Sequence, residues 1–150
     1  GRSMEAKMFE NILVKDWMVT PVITIEASSP ISAAHHLMKN NSIRRVPVIK
    51  DDKLVGIVTI GDVREASPSD ATTLSIWELN YLWAQLTAEK IMTHNVLTTT
   101  PDTSILDAAE MMLEEKVSGL PVVDGDKLVG MLTESDVFRM LIKSRQTEAM

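Results

Sequence analysis

Asp52-Lys53-Leu54-Val55-Gly56-Ile57-Val58-Thr59-Ile60-Gly61-Asp62 returns 74 residues later as Asp126-Lys127-Leu128-Val129-Gly130-Met131-Leu132-Thr133-Glu134-Ser135-Asp136. Working outward, the same shift lays residues 16–63 on residues 90–137 without a gap. Sixteen of those 48 pairs are identical, against roughly three expected from average residue usage. Met18/Met92, Val22/Val96, Ile31/Ile105, Ala34/Ala108, Met38/Met112 and Pro47-Val48/Pro121-Val122 are among them. The chain is a duplicated unit: residues 13–66 form the first copy, 87–144 the second, 67–86 a helical connector and 145–150 a tail. Gly1-Arg2-Ser3, ahead of Met4, read as a cleavage scar left by an expression vector.

Each copy has the same local grammar. A β-branched run (Val22–Ile25; Val96–Thr99) predicts a first strand. Ser28-Ser29-Pro30 offers a cap followed by proline early in a helix, and Ser104 with Asp107 has capping-box spacing. Apolar residues at 31, 34, 37 and 38, and at 105, 108, 111 and 112, follow the helical period. Two strands then flank a tight turn, Val46–Ile49 and Lys53–Thr59 around Asp51-Asp52, and Leu120–Val123 and Leu128–Thr133 around Gly125. A last helix starts near Asp62 or Asp136. The fold class is α/β (α+β), two β-α-β-β-α repeats. A unit of about 50 residues buries too little surface alone, so the repeats are expected to pack face to face with pseudo-two-fold symmetry.

Composition narrows the function classes. The chain has 150 residues, 45% of them apolar, and a net charge of −6 from 15 basic and 21 acidic residues. It has no cysteine, which removes a disulfide framework, a thiolate metal site and a cysteine nucleophile. An acidic balance without a basic stripe argues against nucleic acid as a partner. No stretch approaches the ~20 apolar residues of a membrane helix, so no membrane partner and a cytoplasmic location are expected. After Ser67-Pro68-Ser69-Asp70 the connector runs from Leu74 to Leu86, with Ile76, Leu79, Trp83 and Leu86 on one stripe and Trp77 and Tyr81 beside it. It reads as a helix packed on its own core, part of which, around Trp77, Tyr81 and Trp83, serves as a homodimer contact, where aromatics are enriched.

Gly56-x-x-Thr59-x-x-Asp62 and Gly130-x-x-Thr133-x-x-Asp136 take a buried strand into a helix start. Thr and Asp both cap helices. The same geometry presents free N–H groups to an anion, a hydroxyl to phosphate and a carboxylate to both hydroxyls of a ribose. Both readings stay open on spacing alone.

With Ile43-Arg44-Arg45-Val46-Pro47-Val48 and Val117-Ser118-Gly119-Leu120-Pro121-Val122 ahead of these motifs, the chain resembles a tandem CBS (cystathionine-β-synthase) domain pair, or Bateman module, from Leu13 to Lys143. Leu74-Ser75-Ile76-Trp77-Glu78-Leu79-Asn80-Tyr81-Leu82 resembles bacterial members of the acetoin-utilization type. The resemblance implies a regulatory module that holds adenine nucleotides or adenosyl compounds in clefts between the repeats, with the motif Asp on the ribose and the Thr on the phosphate. It implies one cleft of Val19, Ile23, Arg44, Arg45 and Pro47 with Met131, Thr133, Ser135 and Asp136. The second combines Thr93, Leu97, Ser118, Gly119 and Pro121 with Ile57, Thr59 and Asp62. No cofactor is required; the implied ligand is AMP, ADP or ATP, with S-adenosylmethionine and NAD open, and the output goes to a regulated protein.

The residues add an asymmetry. Arg44-Arg45 occupies the repeat positions of Ser118-Gly119, and guanidinium groups bind phosphate through paired, charge-assisted bonds. Strand alternation lets only one arginine point inward. The Asp136 cleft is therefore expected to prefer phosphorylated ligands, and the Asp62 cleft to tolerate a neutral adenosyl group, bind weakly or stay empty. Adjacent His35 and His36 cannot share one metal from a regular helix and read as surface or interface residues; His94 sits where the second copy's first strand begins. Asp124-Gly125-Asp126 is a turn, lacking the other ligands of a calcium loop. No GxSxG, HExxH or Walker sequence is present, so neither catalytic nor metal residues are assigned and the chain is expected not to be an enzyme. The rivals are a dimerising pair that binds nothing and a nucleotide hydrolase acting through Asp62 and Asp136.

Overall fold

The computed structural model describes Phe9, residues 11–67 and residues 75–148. Gly1-Arg2-Ser3, the Pro68-to-Leu74 part of the connector and the end of the tail lie outside the described residues. The chain divides into two compact units, residues 23–96 and residues 1–22 with 97–150.

In the unit 23–96, β1 (Ile25–Glu26) leads to α1 (Ile31–Asn41), β2 (Arg45–Lys50), β3 (Lys53–Thr59), α2 (Ile60–Ala66), α3 (Ile76–Gln85) and the short α4 (Ala88–Ile91). Ile31, Ala34 and Met38 form the buried face of α1, at the helical period. Pro30 is itself the N-cap, with no side-chain cap bond, so neither serine before it caps the helix as expected. β2 and β3 are antiparallel and β1 joins β2 in parallel, Ile25 opposite Val48. The hairpin turn is Asp51-Asp52, both left-handed at φ 52° and 63°, the geometry that matches strand twist in two-residue loops and that Asp tolerates better than most residues.

The other unit repeats this plan with α5 (Ile105–Glu115), β4 (Gly119–Asp124), β5 (Lys127–Thr133) and α6 (Glu134–Glu148), preceded by a 3-10 turn at Val14–Asp16. Ile105, Ala108 and Met112 are buried on α5, and Ser104 Oγ caps it by accepting from Asp107 N at 3.1 Å. Both hairpins are bulged at the same place, between Val48 and Ile49 and between Val122 and Val123. The fold is thus mixed α/β with two β-α-β-β-α-like repeats.

The first strands differ from expectation. Val22–Ile25 contributes only Ile25 to a strand, and Val96–Thr99 is reduced to a bridge between Thr99 and Val122. The 74-residue shift supplies the reason. Ala27 N donates to Ile49 O at 2.9 Å, but the equivalent residue is Pro101, which has no N–H to extend the ladder.

The compact units are offset from the sequence copies, because the leader of each copy packs on the sheet of the other. Val14 N and Lys15 N donate to Thr103 O and Pro101 O, and Val19 pairs with Met131. In parallel fashion Ala88 N donates to Ser29 O, and Thr93 pairs with Ile57. Buried Gly56 and Gly130 permit this approach: a Cβ on Gly56 would overlap Met92 and stand 3.0 Å from Thr93 O, and one on Gly130 would overlap Met18. Val14 lies in one core with Ile105, Leu120, Val122, Leu132 and Met140, whereas Ala88 and Met92 lie in the other with Ile25, Val46, Val48 and Val58. Lys50 Nζ to Glu89 Oε1 at 2.9 Å adds a surface tie to the second leader.

The connector helix α3 is less buried than its stripe predicts. Trp83 and Leu86 pack on the core of their unit, but Ile76, Trp77, Tyr81 and Leu82 are exposed, Trp77 by 81%.

Candidate functional site

The two recurring motifs place Thr and Asp where a strand becomes a helix. At the end of β3, Thr59 Oγ1 accepts from Asp62 N at 3.1 Å while Asp62 Oδ2 accepts from Thr59 N at 2.8 Å, a complete capping box. At the end of β5, Asp136 Oδ2 accepts from Thr133 N at 2.8 Å and from the Thr133 hydroxyl at 3.2 Å. Thr59 and Asp62 thus cap their helix reciprocally, the second motif keeps the carboxylate half of that arrangement, and in both the threonine N–H orients the carboxylate through Oδ2.

The motifs differ in how that oxygen is used. Asp136 is 1% exposed, and its Oδ1 is ion-paired with the Arg139 guanidinium one turn along α6. Asp62 is half-buried, and among the described residues its Oδ1 takes no bond. The residue equivalent to Arg139 is Glu65, of opposite charge. Neither Arg139 nor Glu65 belongs to the recurring motif, yet an i,i+3 carboxylate–guanidinium spacing on a helix is a readable signal.

Each motif is bordered by its own unit's residues. Arg45 lies opposite Thr59 in the β2–β3 register, and Arg44 O accepts from Ile60 N at 2.9 Å. Gly119 lies opposite Thr133, and Ser118 O accepts from Glu134 N at 3.1 Å. Arg44 is exposed and Arg45 half-buried. Val19 and Thr93, both exposed, reach the motif strands through Met131 and Ile57, which are buried. Pro47 and Pro121 are buried, Ser135 and Leu97 exposed.

The structure thus gathers Ile57, Thr59, Asp62 and Thr93 with Ile23, Arg44, Arg45 and Pro47 in one unit. It gathers Val19, Met131, Thr133, Ser135 and Asp136 with Leu97, Ser118, Gly119 and Pro121 in the other. Each residue set implied by the family resemblance draws on both units.

Among the described residues no group of three or more His, Asp or Glu side chains is placed to hold a metal ion. His35 lies against Trp83, ring centroids 6.0 Å apart, while His36 and His94 are exposed. No helix among these residues is long and apolar enough to cross a membrane.

Three solved structures are similar over nearly the whole chain. An acetoin utilization protein (AcuB) structure from Vibrio cholerae shares 29% identity at TM-score 0.77, covering 92% of this chain and 96% of that one. CBSX2 in complex with AMP shares 30% identity at TM-score 0.74, covering 88% and 97%. The CBS domain pair of MJ0100, in complex with 5′-methylthioadenosine and S-adenosyl-L-methionine, shares 31% at TM-score 0.72, covering 88% and 97%. Among curated relatives, a homoserine O-acetyltransferase of Methanosalsum zhilinae is 32% identical over 139 residues, 91% of this chain but 25% of its own length. The chain spans between about a quarter and a half of the first such relatives it matches. The CBS domain model matches twice, at residues 14–69 and 88–143. On that double match, and on two Thr–Asp motifs built alike at the ends of two bulged hairpins, the chain belongs to the CBS domain family as a tandem pair.

Proposed function

We propose that this CBS pair is a regulatory module that binds an adenosyl ligand, with Asp62 and Asp136 receiving ribose hydroxyls and Thr59 and Thr133 lying beside the phosphate or its replacement. The observation that carries this is the similarity, over almost the full chain, to pairs in complex with AMP and with S-adenosyl-L-methionine and 5′-methylthioadenosine. Both Thr–Asp motifs are intact here, and each carboxylate is already oriented by a backbone N–H. Arg44 and Arg45, where the second copy has Ser118 and Gly119, favour AMP, ADP or ATP over an uncharged adenosyl group. The module acts without catalysis in the cytoplasm: ligand biases the pair toward the arrangement it binds better, by its differential affinity alone.

A second copy of the chain is the proposed partner of α3, whose exposed Ile76, Trp77, Tyr81 and Leu82 support a homodimer contact. Trp77→Ser with Tyr81→Ser is expected to lower the mass measured by light scattering; an unchanged mass removes this contact.

A thermal-shift panel of adenosyl ligands tests the binding. Ligand at 100 times its dissociation constant adds about 2.7 kcal/mol of stability, lost stepwise in Asp62→Ala and Asp136→Ala. No shift with any adenosyl ligand ends the proposal, and turnover of ATP ends the non-catalytic part of it. Equal AMP-over-adenosine selectivity in Arg44→Ala, Arg45→Ala and the unaltered chain removes the role of the arginines.

A further inference from the structure

The 74-residue shift pairs Asp62 with Asp136 but Glu65 with Arg139, and the structure gives that charge reversal a consequence. One oxygen of each carboxylate is committed to the N–H of its motif threonine. In Asp136 the other oxygen is taken by a guanidinium, and the carboxylate is 1% exposed. Arg139 itself is 59% exposed, so it can swing away without dismantling the core. On the helix of Asp62 the position equivalent to Arg139 holds Glu65, whose like charge cannot play this part.

We infer that Arg139 competes with the ribose of a bound ligand for Asp136, so that ligand is taken there only by giving up an internal ion pair, while among the described residues no ion pair is recorded on Asp62. The inference rests on the reading that the motif carboxylates receive ribose. A vicinal diol donates two hydrogen bonds to a carboxylate; at Asp136 it displaces a charge-assisted bond of comparable or greater strength. The Asp136 position is therefore the weaker one for an uncharged nucleoside. Binding there frees a cation on α6, next to the exposed Phe138, Leu141 and Ile142, and so changes the surface of that helix.

Calorimetric titration of the full chain with adenosine tests this. In an Asp62→Ala background, which leaves only Asp136, Arg139→Ala is expected to tighten adenosine binding on the order of tenfold, the scale of one charge-assisted bond. Arg139→Gln, which keeps a donor without the charge, gives an intermediate gain and serves if the alanine variant does not fold. In an Asp136→Ala background, Glu65→Arg installs the competitor and weakens binding by a similar factor. A structural role for Arg139 predicts the opposite sign, since loss of support cannot raise affinity. Unchanged or weaker binding on removing Arg139, in a chain that binds adenosine, overturns the inference alone. Absence of adenosine binding in every variant and in the unaltered chain overturns the binding reading with it.

Discussion

The unit holding Asp62 has a three-stranded sheet and a half-buried motif carboxylate; the unit holding Asp136 has a two-stranded sheet and a fully buried, ion-paired one. α1 and α5, the hairpins, their bulges and the leader contacts correspond position by position, while α6 runs eight residues further than α2. The differences trace to single residues. Pro101 in place of Ala27 ends a ladder, Thr99 in place of Ile25 puts a hydroxyl into a core, and Arg139 in place of Glu65 closes a carboxylate. A duplicated fold can therefore keep its architecture, which many apolar contacts determine together, while its two sites diverge through changes too local to disturb that architecture.

The leader contacts offer the most damaging way to test how alike the units are. Gly56→Ala and Gly130→Ala each force a methionine off its packing, at about 1–3 kcal/mol in urea unfolding. Gly56→Ala is expected to cost more, because Thr93 O, a backbone atom, stands 3.0 Å from the new Cβ, whereas Gly130 meets only the Met18 side chain. Equal losses would mean that the carbonyl yields as easily as a side chain.

A smaller effect, of opposite sign, should come from Thr99. It is 4% exposed, and its Oγ1 has no partner among the described residues. Thr99→Val keeps the shape and removes an unsatisfied hydroxyl, and is expected to raise stability by about 1 kcal/mol. The reverse change, Ile25→Thr, should lower it. Destabilisation by Thr99→Val would show that the hydroxyl is bonded in solution.

The smallest effect concerns the surface tie of one leader. The Glu89 carboxylate, by hydrogen bond and by charge, holds the Lys50 ammonium above the ordinary lysine pKa. A raised folded-state pKa gives a contribution that is complete below the unfolded value and lost as pH rises through the folded one. Lys50→Met is therefore expected to lower stability slightly and evenly around neutral pH and to flatten the alkaline end of the stability–pH curve, where the wild-type contribution is lost. A change confined to acid pH would contradict the assignment. At the equivalent positions Lys50 becomes Asp124 and Glu89 becomes Lys15; Lys15 is paired with Asp102 at 3.1 Å instead.

Much of this was legible from residues alone, and for local reasons. The strand Lys53–Thr59 falls where its pattern places it, the Asp51-Asp52 turn follows from residues that tolerate left-handed backbone, and the buried faces of α1 and α5 follow the helical period. The motif Thr and Asp residues stood out because they recur. Arg139 did not recur, so repetition concealed it. Pro30 misled about its cap, and the connector stripe counted Ile76 as buried because periodicity reports which residues share a face, not how much of that face is covered.

Sequence by itself determined that there are two copies, what elements each contains and where the Thr–Asp motifs begin, because hydrophobic period, turn chemistry and repetition act over a few residues. Only the tertiary structure decided that each leader joins the other copy's sheet, that Asp136 is buried against Arg139 while Asp62 is half-buried, and that Pro101 leaves one sheet a strand short. The physical reason lies in the duplication. Two similar sheets offer either leader similar hydrogen bonds and a similar glycine to lie against, so local preference does not discriminate between them. The choice is made by long-range packing, with Val14 buried beside Ile105 and Leu120, and Ala88 and Met92 beside Ile25 and Val48.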